Sequence, residues 1–147
     1  MATKSRTLTL TLILTLALST FAILAADKGE KKLDLSKVDL SKLPAPAAKT
    51  GVTYAADIKP IFEKSCFKCH GPEKQKAKLR LDSLPAALKG GEDGEILVPG
   101  KSAESLVVIA VARLGDEDDA MPPADKGDPL TKEQVALIRA WIDQGAK

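Results

Sequence analysis

Cys66-Phe67-Lys68-Cys69-His70 places two thiols and an imidazole within five consecutive residues. Two cysteines at this spacing can each add to a vinyl group of a haem, and the adjoining histidine then swings beneath the iron as its proximal ligand. The chain holds no other cysteine and no other histidine, and beyond the start residue its one methionine is Met121, in Met121-Pro122-Pro123. A soft thioether on the opposite face would complete the octahedron and raise the reduction potential. The motif therefore predicts a fold wrapped round one flat, apolar ring: haem c with its iron, held covalently by Cys66 and Cys69 and ligated by His70 and Met121.

Other uses of these residues can be weighed from the sequence. A Cys66–Cys69 bridge or a thioredoxin-like redox pair would account for the thiols and leave His70 without a purpose. Zinc would obtain three ligands from one tight turn, whereas a closed structural site wants a fourth, and no second sulfur or nitrogen cluster exists. Met121 lies in an acidic, proline-broken loop from Asp116 to Asp128. It is therefore not a patterned core position, and the two following prolines restrict the backbone that carries it. Without Met121 the iron would be five-coordinate or bound by a lysine. With it the iron has no open site, and electron movement is expected rather than activation of peroxide or oxygen.

Residues 1–26 read as a secretory signal, with Lys4 and Arg6 ahead of an uncharged stretch from Thr7 to Ala26. The small residues Ala22, Ala25 and Ala26 suit cleavage, although no clean A-x-A site stands among them. The uncharged run is also about long enough to span a bilayer, so an uncleaved anchor is the alternative. Five threonines lower its apolarity and favour cleavage. Export to the periplasm agrees with the motif, because thioether attachment is completed outside the cytoplasm.

The chain has 22 Lys and Arg against 20 Asp and Glu. Two of the basic residues belong to the leader, so the mature charge balances. Its distribution does not: Lys59 to Arg80 holds seven bases and two acids, and Glu92 to Asp128 ten acids and three bases. Such polarity can orient a redox partner during encounter, or it is only a pair of solvated faces. Of the five aromatic residues one, Phe21, lies in the leader. A small domain with so few large rings gains core material from a buried porphyrin.

Residues 27–52 read as a flexible linker, in which Asp34-Leu35-Ser36-Lys37 recurs as Asp39-Leu40-Ser41-Lys42 before the proline-rich Leu43-Pro44-Ala45-Pro46. It either spaces the domain from a membrane or lies across the domain surface on its apolar residues. Residues 53–147 form the domain. Asp57 is the expected N-cap of a helix that tolerates Pro60 in its first turn and aligns Ile58, Ile61, Phe62 and Cys66 on one face. Gly71-Pro72 ends it. A short helix follows over residues 84–88, opened by Asp82 or Ser83 and stopped by Gly90-Gly91. Ile96-Leu97-Val98 is extended. Ser102 caps a helix to Arg113, with Leu106, Val107, Ala110 and Leu114 inward and Gly115 as terminator. Thr131-Lys132-Glu133-Gln134 makes a capping box for the last helix, whose stripe is Val135, Ile138, Trp141 and Ile142. No segment alternates as a half-buried strand would, so the fold class is all-α, a small cytochrome c-like domain of short helices wrapped round one covalently bound haem. The first helix should pack on the last, with Trp141 at the contact.

With these residues in place, the chain from Thr53 onward resembles the planctomycete-type cytochrome c domain family. The resemblance rests on Tyr54, Asp57-Ile58-Lys59-Pro60-Ile61-Phe62, the Cys66–His70 run with Gly71-Pro72, and Leu79-Arg80-Leu81-Asp82-Ser83. It continues through Gly90-Gly91, Pro99-Gly100, Met121-Pro122-Pro123, Trp141-Ile142 and Gly145-Ala146. It implies a class I-like helical cytochrome with covalent haem c and His/Met ligation. The function expected is a periplasmic single-haem electron carrier between a donor and an acceptor protein. The rivals are a haem-bearing subunit of a larger periplasmic oxidoreductase and a haem-based sensor or binding module. Catalysis by the chain itself is not expected, since its sole histidine is committed and no Ser/His/Asp set can be assembled. No nucleic-acid partner is expected, a membrane only if the leader is retained, and oligomeric state is left open.

Overall fold

The computed structural model describes residues 34–147; the leader and the first part of the linker, residues 1–33, lie outside it. Among the described residues there are five α-helices and no strand: α1 Lys59–Ser65, α2 Phe67–His70, α3 Leu84–Lys89, α4 Leu106–Val111 and α5 Lys132–Asp143. None of these is long and apolar enough to cross a membrane. The all-α expectation is met.

The entry to α1 differs from the sequence expectation. A single π turn, Tyr54–Ile58, precedes it, and Thr53 rather than Asp57 is the N-cap, its hydroxyl accepting from Ala56 N–H. Asp57 instead sends its carboxylate back to Thr53 N–H at 2.9 Å and pairs with Lys49. The two side chains thus satisfy backbone donors at the helix mouth reciprocally, as a capping box does, with the acid one position later. Pro60 occupies the first turn of α1, where its missing N–H costs nothing. The extra residue of the π turn still leaves Ile58, Ile61 and Phe62 buried together.

Helix α5 follows its sequence closely. Thr131 caps it through Gln134 N–H, and Gln134 returns its side-chain oxygen to Thr131 N–H at 2.9 Å. Val135, Ile138, Trp141 and Ile142 are all buried, Trp141 completely. Its indole meets Phe62 of α1 edge-on at 6.5 Å and Tyr54 at 5.8 Å between ring centres. These distances suit the aromatic quadrupole, which favours tilted over face-to-face pairs. The predicted contact of first and last helix is therefore present, with the π turn sharing it.

Helix α4 begins later and ends earlier than expected. Ser102 opens a separate single turn, Ser102–Glu104, and is itself buried, bonded through its hydroxyl to Asp143 at 2.9 Å. With its side chain committed to α5, it cannot cap α4, which starts at Leu106. Arg113, not Gly115, takes the left-handed conformation that stops the chain, at φ +58°. Leu106, Ala110 and Leu114 are only half-buried, whereas Val107, Val108, Ile109 and Val111 are buried. Leu106 and Ala110 face a cleft, which explains their partial exposure.

The Asp34-Leu35-Ser36-Lys37 echo folds as two single turns, Leu35–Lys37 and Leu40–Lys42, each opened by an aspartate accepting from the serine two residues on. From Leu43 the chain lies along α5. Ala47 N–H donates to Ala136 at 2.9 Å, Gln144 donates to Lys49 at 2.8 Å, and Arg139 holds the Pro44 carbonyl. Of the two paths open to the linker, its described second half takes the one across the domain surface.

Candidate haem-binding site

Helix α1 does not run on through the cysteines. At Cys66 the backbone leaves helical geometry (φ −123°, ψ −33°), and the Cys66 carbonyl accepts from both Cys69 N–H at 3.0 Å and His70 N–H at 2.8 Å. This tight turn, α2, brings both thiols and the imidazole to one place. Gly71 follows, where a Cβ would run into the Phe67 carbonyl, so only glycine fits the departing chain. His70 is pinned from behind, since its carbonyl accepts from Leu81 N–H at 2.8 Å. Leu81 in turn takes the Tyr54 hydroxyl at 2.5 Å, which ties the histidine turn to the aromatic core.

In front of this turn opens an apolar cleft of about 170 Å³. Ala77, Leu79 and Leu81 form one side and Ile96, Leu106, Val107, Ala110 and Val111 another, with Cys66, His70 and Met121 also on its wall. An adjoining hollow is lined by Cys66, Cys69, His70 and Met121 together, beside Lys68, Pro122, Pro123 and Lys126. Residues 51 positions apart in the chain thus share one surface.

Met121 is placed by its backbone. Its N–H donates to Ala110 at the end of α4 at 3.0 Å, and Arg113 donates from Nη1 to the Pro122 carbonyl at 3.0 Å. The loop that carries the thioether is therefore fastened on both sides of the sulfur-bearing residue. Arg113 was not visible as a site residue in the sequence. A left-handed arginine carries no pattern, and its role depends on where the loop returns.

The electrostatics suit a neutral ligand set. Burial holds the His70 imidazole below its ordinary pKa, outweighing the nearby Lys76 and Leu79 carbonyls, which favour the proton. His70 Nδ1 is wholly buried and makes no hydrogen bond. An unpaired buried nitrogen costs about 1–3 kcal/mol, and a neutral imidazole is the form that binds metal. Both thiols are free, and burial, with Cys69 beside it, pushes Cys66 up to about 12. A catalytic dithiol needs a depressed pKa to present a thiolate, so the redox-pair alternative fits poorly. Among the described residues no three His, Cys, Asp or Glu side chains cluster as a metal cage.

A haem fits these observations. Cys66 stands on the wall of the apolar cleft with Cys69 in the adjoining hollow, His70 presents an orphaned Nδ1 beside them, and the tethered thioether of Met121 lines both spaces. Gly91 backs the same surface, and a Cβ there would approach the Ala77 carbonyl to 2.7 Å. Glu92, Asp93 and Asp119 line the cleft, and Lys68 and Lys126 line the adjoining hollow.

Comparison with known proteins agrees with this geometry. No curated protein and no solved structure matches the chain. The family model described as Planctomycete cytochrome C matches residues 66–125, a stretch that begins at the first cysteine and takes in Met121. A cytochrome c family implies a haem-binding domain with covalently held haem. Residues 66–125, which carry the cysteine turn, most of the cleft wall and Met121, are thus similar to the planctomycete cytochrome C family.

Proposed function

We propose that this protein is a single-haem electron carrier of the periplasm, passing one electron at a time between a donor and an acceptor protein. The observation that carries the reading is the convergence of Cys66, Cys69, His70 and Met121 on one surface. Cys66 and Cys69 would hold haem c by thioethers, and His70 and Met121 would ligate its iron from the two sides. The group supplies reversible one-electron chemistry when bound, and a thioether ligand raises its potential. The chain's own part is to exclude water and keep the ligands in place. The aliphatic wall from Ile96 to Val111 lowers the local dielectric, and Arg113 with Ala110 restrains the methionine loop. With His70 and Met121 both committed to the iron, no open site would be left for a small-molecule substrate, which is why a carrier is favoured over a catalyst or a gas sensor. The leader, if it acts as a signal, delivers the chain to the compartment where thioethers are completed.

The test is expression of the full chain with haem-attachment machinery, followed by a denaturing gel stained for haem. Staining should survive denaturation in the parent and vanish in the Cys66→Ala, Cys69→Ala double variant. Staining retained in that variant would refute covalent attachment. For the sixth ligand, the near-infrared charge-transfer band of the oxidised protein should disappear in Met121→Ala, and an unchanged spectrum would remove Met121 from the iron.

A further inference from the structure

Two neighbouring residues ahead of Leu79 take the left-handed conformation without being glycine: Ala77 at φ +54°, ψ +28° and Lys78 at φ +54°. A Cβ crowds the following carbonyl there, so residues with side chains adopt it singly and against a steric penalty. Among the described residues no other such adjacent pair occurs. Strain of this kind persists where the surroundings enforce it, and it gathers at functional segments. The enforcing contact is plain. The turn aims the Ala77 carbonyl at Glu92 N–H, 2.8 Å away, and brings it so close to Gly91 that a Cβ there would lie 2.7 Å from it. Gly91 and Gly94 close the opposing turn with backbone bonds of 2.9 and 3.3 Å. Ala77, Gly91, Glu92 and Gly94 all line the cleft. The remaining walls are held more firmly. Val107 and Val111 are buried in the core, and the methionine loop is fastened through Ala110 and Arg113. Between residues 71–81 and 90–95, among the described residues, the Glu92–Ala77 bond is the one backbone hydrogen bond, and Lys78 and Glu92 beside it are exposed.

We propose that the Ala77–Lys78 turn and the Gly91–Gly94 turn form a strained clasp on the rim of the cleft, the part of the haem-loaded domain that opens first and admits water to the cofactor. This rests on the haem reading above and adds a route to the site other than the cysteine hollow. Closing the clasp gains one exposed hydrogen bond and the packing of Leu79 against the core. Set against that are two left-handed residues, so little free energy separates the closed form from the open one. Segments with few buried contacts and exposed backbone bonds are where local opening starts.

The experiment follows amide hydrogen exchange by NMR on the full haem-loaded protein, through a urea series below unfolding. The Gly91 and Glu92 amides should exchange together, almost independently of urea, and faster than those of Ile138 and Trp141, which await global unfolding. Lys78→Gly removes strain from the closed form and should slow Glu92 exchange about fivefold. Lys78→Ala loses the same charge but keeps the Cβ, and should stay within about twofold of the parent. Gly91→Ala drives a Cβ onto the Ala77 carbonyl and should speed Glu92 exchange about tenfold. It should also lower the reduction potential, since water at the rim favours the more charged ferric form. Glu92 exchange with the urea dependence of Trp141, or no slowing in Lys78→Gly at normal haem spectrum, would overturn the clasp and leave the haem reading intact. Faster exchange in Gly91→Ala with an unchanged potential would overturn the route to the cofactor. A chain that never acquires haem would overturn the haem reading and the clasp's role with it.

Discussion

Removing the Arg113 side chain should loosen the methionine loop without disturbing the rest of the domain. The guanidinium donates to the Pro122 carbonyl at 3.0 Å from a half-buried position, and on the other side of the sulfur only the Met121–Ala110 backbone bond holds the loop. A hydrogen bond from a charged donor contributes about 1.5–3 kcal/mol, which raises the open-loop population by roughly 10–100-fold. An added ligand that needs the methionine displaced then binds more tightly by the same factor, because apparent affinity scales with the competent fraction. Imidazole titrated into the oxidised, haem-loaded protein should therefore bind Arg113→Ala roughly 10–100-fold more tightly than the parent. Arg113 also sits at φ +58°, where a side chain costs about 1–2 kcal/mol relative to glycine. Arg113→Gly should accordingly recover up to about 1 kcal/mol of global stability in urea while keeping the tighter imidazole binding. Parent-like imidazole affinity in Arg113→Ala, with the haem spectrum intact, would refute the idea that this bond restrains Met121.

Two further predictions concern the walls of the site. Tyr54 is 5 % exposed and donates to the Leu81 carbonyl, and burial, with Asp82 and Cys66 nearby, pushes its phenol up to about 12 from an ordinary value of 10.0. Because the folded protein keeps a proton that the unfolded chain has lost, this contribution is whole below pH 10 and drains away between pH 10 and about 12. Tyr54→Phe should cost about 1–2 kcal/mol at neutral pH, and the gap between variant and parent in urea unfolding should close as pH rises through that window. A constant gap would show that the hydroxyl is not what is titrating. Gly90 stands at φ +76° at the end of α3, and a Cβ there would collide with the Gly94 carbonyl. Gly90→Ala should displace the Gly91–Gly94 turn and lower the thermal midpoint of the haem-loaded protein by several degrees. An unshifted midpoint would mean that the turn yields freely.

The chemistry-bearing residues could be read from the sequence because their signal is local. Cys66, Cys69 and His70 lie within one turn, so spacing alone sets what they can reach. The capping box at Thr131 and the stripe through Trp141 are local in the same sense, and both are present as read. Where the local reading failed, a different partner had taken the side chain, near in the chain for Asp57 and distant for Ser102. Asp57 turned back to Thr53 and Lys49, and Ser102 was drawn to Asp143 on α5. Neither was then available to cap the helix expected of it.

What tertiary structure decided is how the two halves of the site meet. The sequence led us to expect Met121 opposite His70, but nothing between Gly71 and Met121 states how the Asp116–Asp128 loop returns to the cysteine turn. That follows from α4 ending at a left-handed Arg113, which leaves its guanidinium and the Ala110 carbonyl to hold the returning loop. The cleft wall was likewise hidden, because Leu79, Leu81, Ile96 and Val111 are ordinary core residues by composition and become a binding surface only when the helices leave space between them. The sequence determined which atoms can bond to a haem, since covalent reach is a matter of neighbouring residues. The fold decided what encloses that position, since packing depends on segments far apart in the chain.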